Sequence, residues 1–334
     1  MIGVMKRNNR LICACAGFVS LLLAAGCSRT IDEAAPPRGA AIGFAPTASR
    51  AAVEDFAAGD AFAVWGWYTP EDASSQVFDA TKVSTQDGAT WSYDELKYWK
   101  SGKTYAFYAL YPAVDALPAT AAGYTSDGRL SVGEFDAAQQ VDLMAAAATG
   151  MNGSSPAVVQ FAFTHLLSRV QVVGRINGTS LGIVGFTPRI YSVKLYGVPR
   201  TGTLSVAAAD LTASGAVRNA WTGSNMTTSA APLALFSDAA GVEVTGEGLL
   251  LLDALPLPGQ LTQEAFVEVE YSTDSAGTNR KTTAVQLTAL PVTIWEAGQQ
   301  YRYSFSISDE DRILFDTPAV NPWSEAVGGI IIVD

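Results

Sequence analysis

The stretch YRYSFSI, residues 301–307, alternates strictly: Tyr301, Tyr303, Phe305 and Ile307 fall on one side of an extended chain, Arg302, Ser304 and Ser306 on the other. Side chains two apart share a face only in a β-strand, so this is a strand with one apolar face. The same alternation recurs at VEVEY (267–271), where Val267, Val269 and Tyr271 oppose Glu268 and Glu270. AFAVWGWY (61–68) and KTYAFYALYP (103–112) are aromatic-rich and nearly continuous in apolar character, as expected of strands buried on both faces. QDG (86–88) and SDG (126–128) are turn signals, and YSTDSAGTNRKT (271–282) reads as the loop of a hairpin joining 266–271 to 283–289. No long segment carries a helical period. WSYDELKYW (91–99) is expected to form one short helix.

Many short strands separated by Gly-, Pro- and Asp-bearing turns predict an all-β chain of packed sandwiches. The chain has 334 residues, and at ~100–200 residues per domain two domains are expected. The Ala-rich VDLMAAAATG (141–150), followed by MNGSSP, reads as the connection between them. That places an N-terminal sandwich at 41–155 and a C-terminal one at 156–334, with a second strand-rich block opening at AVVQFAFTHLLSRVQVVGRI (157–176).

The two termini differ from the body. MKRNNR is followed by LICACAGFVSLLLAAG (11–26), uncharged and apolar but short of the ~20 residues of a membrane span. Residues 1–26 therefore read as a signal peptide. It ends in LLLAAGC, small residues leading into Cys27, as in the lipobox of bacterial lipoproteins; Cys27 is the expected lipidation site. The alternative is an ordinary small-residue cleavage site. The other cysteines, at 13 and 15, leave with the signal, so no disulfide and no cysteine metal site is expected within the body. Residues 27–40, polar and Pro-rich, read as a linker tethering the fold to the lipid. At the far end, VGGIIIVD (327–334) sets Ile330 and Ile332 on one face and Ile331 and Val333 on the other. A strand apolar on both faces needs cover on both. Either a neighbouring domain provides it, or the strand lies in another subunit's groove.

Composition excludes several function classes. Hydrophobic residues make up 49% and charged residues 16%, enough apolar material for a core. The formal charge is −11; the signal holds three bases and no acids, so the remaining 18 bases and 32 acids give −14. That balance argues against nucleic acid and anionic lipid surfaces as partners. His165 is the single imidazole, too few for a zinc pair and a poor basis for a nucleophile–base couple, and it reads as a structural histidine at a strand end. TGEGLLL (245–251) carries Gly-x-Gly but Leu251 where a third glycine would fall, so it reads as a turn entering a strand. SDEDR (308–312) groups Asp309, Glu310 and Asp311. Calcium wants several oxygens, but a solvated turn accounts for the run as well. Trp65 and Trp67 share a strand face and are either core or a platform on which a sugar ring could stack.

Several segments together resemble the fimbrillin, or Mfa-like, family of Bacteroidales surface lipoproteins, the pilins of type V fimbriae. They are IGFAPTASR followed by FAAGDAFAVWGW; WSYDELKYWKSGKTYAFYALYP and VDLMAAA; VQFAFTHLLSRVQV, where Phe163, His165 and Ser168 match the family's Phe-x-His-x-x-Ser run; and WEAGQQYRYSFSI with ILFDTPAVNPW. The resemblance implies two transthyretin-like β-sandwich domains in tandem, no enzymatic activity, no cofactor, and other fimbrial subunits or further copies of the chain as partners. It also implies an outer-membrane lipoprotein precursor that an Arg-specific protease cuts after the first strand, leaving a groove for a partner's strand. Arg50 follows the candidate strand AAIGF in a run of small residues and is the processing candidate. Ile42 and Phe44 in the first strand, and Ile330, Ile331, Ile332 and Val333 in the last, are the strand-exchange candidates. The expected function is a structural or adhesive subunit (pilin, tip or anchor) at the cell surface, with a host or bacterial surface ligand for an adhesive one. The rival is a monomeric surface lipoprotein that binds glycans.

Overall fold

The computed structural model describes residues 39–47, 56–72, 75–117, 121–226 and 231–323. Cys27, Arg50 and the Ile330–Val333 tail lie outside them. Residues 39–334 cluster as one unit. The first strands are β1 (Phe44–Thr47), β2 (Ala61–Thr69), β3 (Gln76–Thr85), β4 (Trp91–Ser92), β5 (Thr104–Tyr111), β6 (Ala122–Tyr124), β7 (Arg129–Asp136) and β8 (Met144–Asn152). Then come β9 (Val159–Ala162), β10 (Thr164–His165), β11 (Arg169–Ile176), β12 (Arg189–Tyr196), β13 (Pro199–Ala207), one helix α1 (Ser214–Ala220), β14 (Trp221–Met226), β15 (Ala234–Glu243) and β16 (Leu249–Ala254). The last are β17 (Gly259–Gln260), β18 (Phe266–Ser272), β19 (Lys281–Gln286), β20 (Ile294–Trp295), β21 (Gln299–Ile307), β22 (Ile313–Phe315) and β23 (Ala319–Pro322). The fold is all-β, as the alternating stretches require.

β21 carries the YRYSFSI stretch. Tyr301, Tyr303, Phe305 and Ile307 are buried, and Arg302 on the other face donates to the Gln171 side chain. The strand runs parallel to β11 and antiparallel to β22 and β23. Its sheet, in order β16-β11-β21-β22, shares one core with the sheet β15-β12-β18-β19. Val170, Val172, Tyr303 and Phe305 from the first meet Val193, Leu195, Val267 and Val269 from the second in that core. The expected hairpin is β18–β19, with Val267 opposite Val285.

The other large sheet has the order β10-β8-β5-β2-β3-β4. It is buried on both faces, which explains the unbroken apolar runs at 61–68 and 103–112. Phe62, Val64 and Tyr68 of β2, with Tyr105, Phe107 and Ala109 of β5, enter one core; Ala63, Trp65, Tyr108 and Leu110 enter the other. The first face is covered by β1 and β9, and the second by the sheet β14-β13-β7-β6. Tyr124 of β6 stacks on Tyr108 there at 5.0 Å.

Two local expectations are overturned. WSYDELKYW forms no helix: Trp91–Ser92 pairs with β3, and the chain then turns so that Tyr98 bridges Ala41. Tyr93 and Trp99 are drawn into aromatic clusters, and that burial outweighs a short helix whose nucleation is costly. VDLMAAAATG is not a connection but β8, paired to β5 along its length. Its alanines, buried at 145 and 146, let layers on both faces approach closely. Strands on either side of residue 155 share structure: β9 and β10 join the first core and sheet, and β13 and β14 pair beside β7.

Candidate functional site

The segment spanning residues 40–47 is held like an inserted strand. Ile42 and Phe44 alternate with Gly43 and Ala45, so one face is apolar and the other small. Its first half pairs on one side: the Ile42 amide donates to Lys97 O at 2.9 Å, and the Trp99 amide donates to Ala40 O at 3.0 Å. Its second half pairs on the other side: the Val159 amide donates to Gly43 O at 2.8 Å, and Phe44–Thr47 run parallel to Val159–Ala162. At Gly39 a β-carbon would lie 2.8 Å from Trp99 O, so the approach of the two backbones there admits only glycine.

The apolar face is fully used. Ile42 is 1% and Phe44 5% exposed. The Phe44 ring stacks on Phe161 of β9 at 5.6 Å and meets Phe78 and Phe107 edge-on at 5.1 and 5.8 Å. Tyr93 Oη donates to Ile42 O at 2.7 Å and accepts from the Lys97 amide at 3.3 Å. Burial raises the Tyr93 pKa, the Lys97 bond opposing it, so the phenol keeps its proton and remains a donor. At ~1.5–3 kcal/mol for each large apolar side chain, Ile42 and Phe44 contribute about 3–6 kcal/mol of gross burial. Were the segment absent, the edge of β9, the main chain at 97–99 and a floor of Phe78, Phe107 and Phe161 would be bare. Such an edge is a template for another strand.

Ile42 and Phe44 are thus brought together with a groove that the sequence did not single out. Its walls are Tyr93, Lys97–Trp99 and β9. The signal for β9 was present, since Val159, Phe161 and Phe163 alternate, but their place after residue 155 had assigned them to the following domain.

The Phe-x-His-x-x-Ser run is structural. Phe163 lies in the core beneath β1. His165 Nδ1 lies 2.9 Å from Asp142 Oδ1, and its ring stacks on Trp323 at 3.7 Å and 9°. Arg169 lies over the same indole and makes a bidentate pair with Asp253. Ser168 Oγ donates to Glu296 O at 3.0 Å. The run therefore ties the β10 edge to the start of β21 and the end of β23.

Trp65 is 3% exposed and packs against Tyr124 at 5.6 Å; Trp67 is half-buried beside Tyr108. They form core and not a sugar platform. In the 308–312 turn each acid has its own partner: Asp309 accepts from Ser180 Oγ, Asp311 pairs with Lys281 and Thr273, and Glu310 lies near Arg312. The three carboxylates do not converge.

A sequence comparison with protein families matches residues 49–323 to the family described as fimbrillin-like. No curated protein matches the chain in sequence. Among solved structures, the chain is similar to a fimbrial protein from Bacteroides vulgatus (TM-score 0.55, 14% identity, 85% of this chain and 99% of that one). It is likewise similar to candidate cell adhesion proteins from Bacteroides ovatus (0.53, 16%, 86% and 98%) and Bacteroides uniformis (0.51, 17%, 85% and 99%). At these identities the structures speak for the fold. The family match spans most of the chain, which therefore belongs to the fimbrillin-like family and is a structural protein, not an enzyme.

Proposed function

We propose that this fimbrillin-like chain is a subunit of a surface fimbria, exported as an outer-membrane lipoprotein through Cys27 and assembled by strand exchange. The observation that carries the reading is the seating of residues 40–47. They form a short segment, hydrogen-bonded on both sides and inserted by two large side chains into an aromatic groove, ending three residues before an arginine in a run of small residues. Cleavage after Arg50 detaches this segment covalently while leaving every other strand in place. The vacated groove then offers main-chain partners for register and affinity and aromatic pockets at alternate positions for specificity.

The tail GGIIIVD supplies the second element. With Ile330, Ile331, Ile332 and Val333 apolar on both faces, it either closes its own sandwich under cover from a neighbour or enters the groove of another subunit, Gly328 and Gly329 serving as the hinge. Other fimbrial subunits, including further copies of this chain, are the partners; an adhesive role adds a host or bacterial surface ligand.

Electron microscopy of material sheared from expressing cells, with antibody against this chain, tests the assignment. Labelled filaments are the expected result. Label confined to the cell envelope, with no filament carrying it, would overturn it.

A further inference from the structure

Two features lie outside the space that Ile42 and Phe44 fill, although the first shares the 97–99 wall with the strand groove. The first is a pocket of about 380 Å³ walled by Tyr68, Trp99 and Tyr105, with Leu96, Lys97 and Lys100 at its rim. At ~30 Å³ per water it holds the equivalent of about a dozen waters, so it suits a cluster of side chains better than a single solvent molecule. Its lining includes two lysines and no carboxylate; just outside it Glu95 lies 3.5 Å from Lys97, and Lys100 donates to Tyr68, which donates to Asp72. Leu96 is 57% exposed there. Trp99 is buried, and its Nε1–H has no acceptor among the described residues.

The second is the loop between β11 and β12, which reads NGTSLGIVGFTP (177–188). Leu181 and Ile183 are exposed, and Val184 is 99% exposed. Gly182 and Gly185 hold positive φ values of 79° and 84°, which turn the chain sharply and push the aliphatic residues outward. The base of the loop is fixed by Ser180 bonded to Asp309, and Gly246 lies against Leu181. Asp309, Glu310, Asp311, Glu247 and Asp274 stand on the neighbouring turns, against Lys281 and Arg312. An exposed aliphatic tip in an acidic setting is a poor match to an anionic lipid surface and a good one to an apolar pocket rimmed by lysines.

Both features lie at strand ends far from the His165–Arg169 junction. The pocket is at the Thr104 end of β5, whose other end, Tyr111, meets Met144 beside His165. The tip follows Ile176, seven residues along β11 from Arg169. Two different complementary patches on one chain make a heterologous contact, which repeats into a fibre unless the rotation closes a ring.

We propose that the Leu181–Val184 tip of one copy docks in the Tyr68–Trp99–Tyr105 pocket of a second copy, a side contact that accompanies strand exchange along the fimbria. It deepens the fimbrial reading and rests on it. A main-chain carbonyl of the incoming turn can accept from Trp99 Nε1.

Cysteine cross-linking on the cell surface tests it, because Leu96 and Val184 are both exposed and tolerate substitution. A chain carrying Leu96→Cys and Val184→Cys together is expected to give a ladder of disulfide-linked multimers that collapses on reduction, and neither single variant gives one. Val184→Asp is expected to reduce filament yield at least tenfold while the monomer melts as the wild type does. Wild-type filament yield from Val184→Asp, or filaments without the 96–184 cross-link, would overturn the contact. A disulfide-linked dimer from Val184→Cys alone would replace it with a tip-to-tip contact. Absence of filaments from the unmodified chain would overturn the fimbrial reading itself and this contact with it.

Discussion

Phe44 and Phe161 stack with ring centroids 5.6 Å apart and planes 10° from parallel, joining the first strand of the fold to a strand more than a hundred residues later. The two rings meet diagonally across the pair, since Phe44 lies opposite Val159 and Phe161, two residues further along, lies opposite Pro46. In the proposed processing, this contact divides what is removed from what is left.

Phe44→Ala deletes a ring from the removable side. Truncating a buried Phe costs ~3–5 kcal/mol, so the uncleaved precursor should melt well below the wild type in calorimetry. If processing removes the first strand, assembled subunits lack residue 44, and filaments from the variant should match wild-type filaments in thermal stability. Equal destabilisation of both would show that the first strand is retained.

Phe161→Ala deletes its partner from the permanent side. The same ~3–5 kcal/mol should be lost from the precursor and, after exchange, from the seating of the incoming strand. Filaments of this variant should dissociate at lower denaturant than those of Phe44→Ala. If the two variants dissociate together, the groove over Phe161 is not the exchange site.

Deleting Gly329–Asp334 removes four branched side chains worth ~1.5–3 kcal/mol each when buried, a gross loss comparable to a whole domain's stability of ~5–15 kcal/mol. A tail that closes its own sandwich predicts an unfolded or aggregated monomer. A donated tail predicts a monomer that melts normally and does not polymerise. Normal melting with normal polymerisation would exclude both roles.

Cys27→Ala should shift the protein out of the detergent phase on partitioning, because the acyl chains are its membrane attachment in this account. A variant that remains membrane-bound to the wild-type degree would refute lipidation at Cys27.

The Asp136–Arg200 pair gives a pH signature. Asp136 accepts from Arg200 Nε at 2.8 Å and Nη2 at 3.0 Å, and this bond, with the Ala138 amide, holds its carboxyl below the usual value against the opposing effect of burial. A depressed folded-state pKa stabilises above the unfolded value of ~3.9 and is lost as pH falls through the folded value. With both side chains about one-third exposed, solvent screening reduces the pair to about 1 kcal/mol. Asp136→Asn should lower the melting temperature by ~2–4 °C at pH 7, and the gap to wild type should close in titrations below pH ~4. A gap that persists unchanged at pH 2 would mean that packing, not charge, sets it.

Much of the fold was legible because two-residue periodicity is local. YRYSFSI shows its buried face in its own letters, and the runs at 61–68 and 103–112 show burial on both faces. What was not legible depended on distant partners. Residues 91–99 have the look of a short helix, yet Tyr93 and Trp99 gain more from the aromatic cluster around Phe78, Tyr105 and Phe107 than a single turn would gain from its own hydrogen bonds. VDLMAAAATG looks like filler because alanine is small, and that smallness is what fits β8 between two layers. For the site, Ile42 and Phe44 were readable as an apolar strand, but the walls at Tyr93, Lys97–Trp99 and β9 come from three places in the chain and converge only in the fold. Trp65 could not be told from a binding platform because the residue that covers it, Tyr124, lies some sixty positions away.

The central claim is that the segment bearing Ile42 and Phe44 leaves before assembly. N-terminal sequencing of subunits from purified filaments tests it most directly. The account predicts a single start at Ala51; filament subunits that begin at or before Ala41 and still carry Ile42 and Phe44 would contradict it.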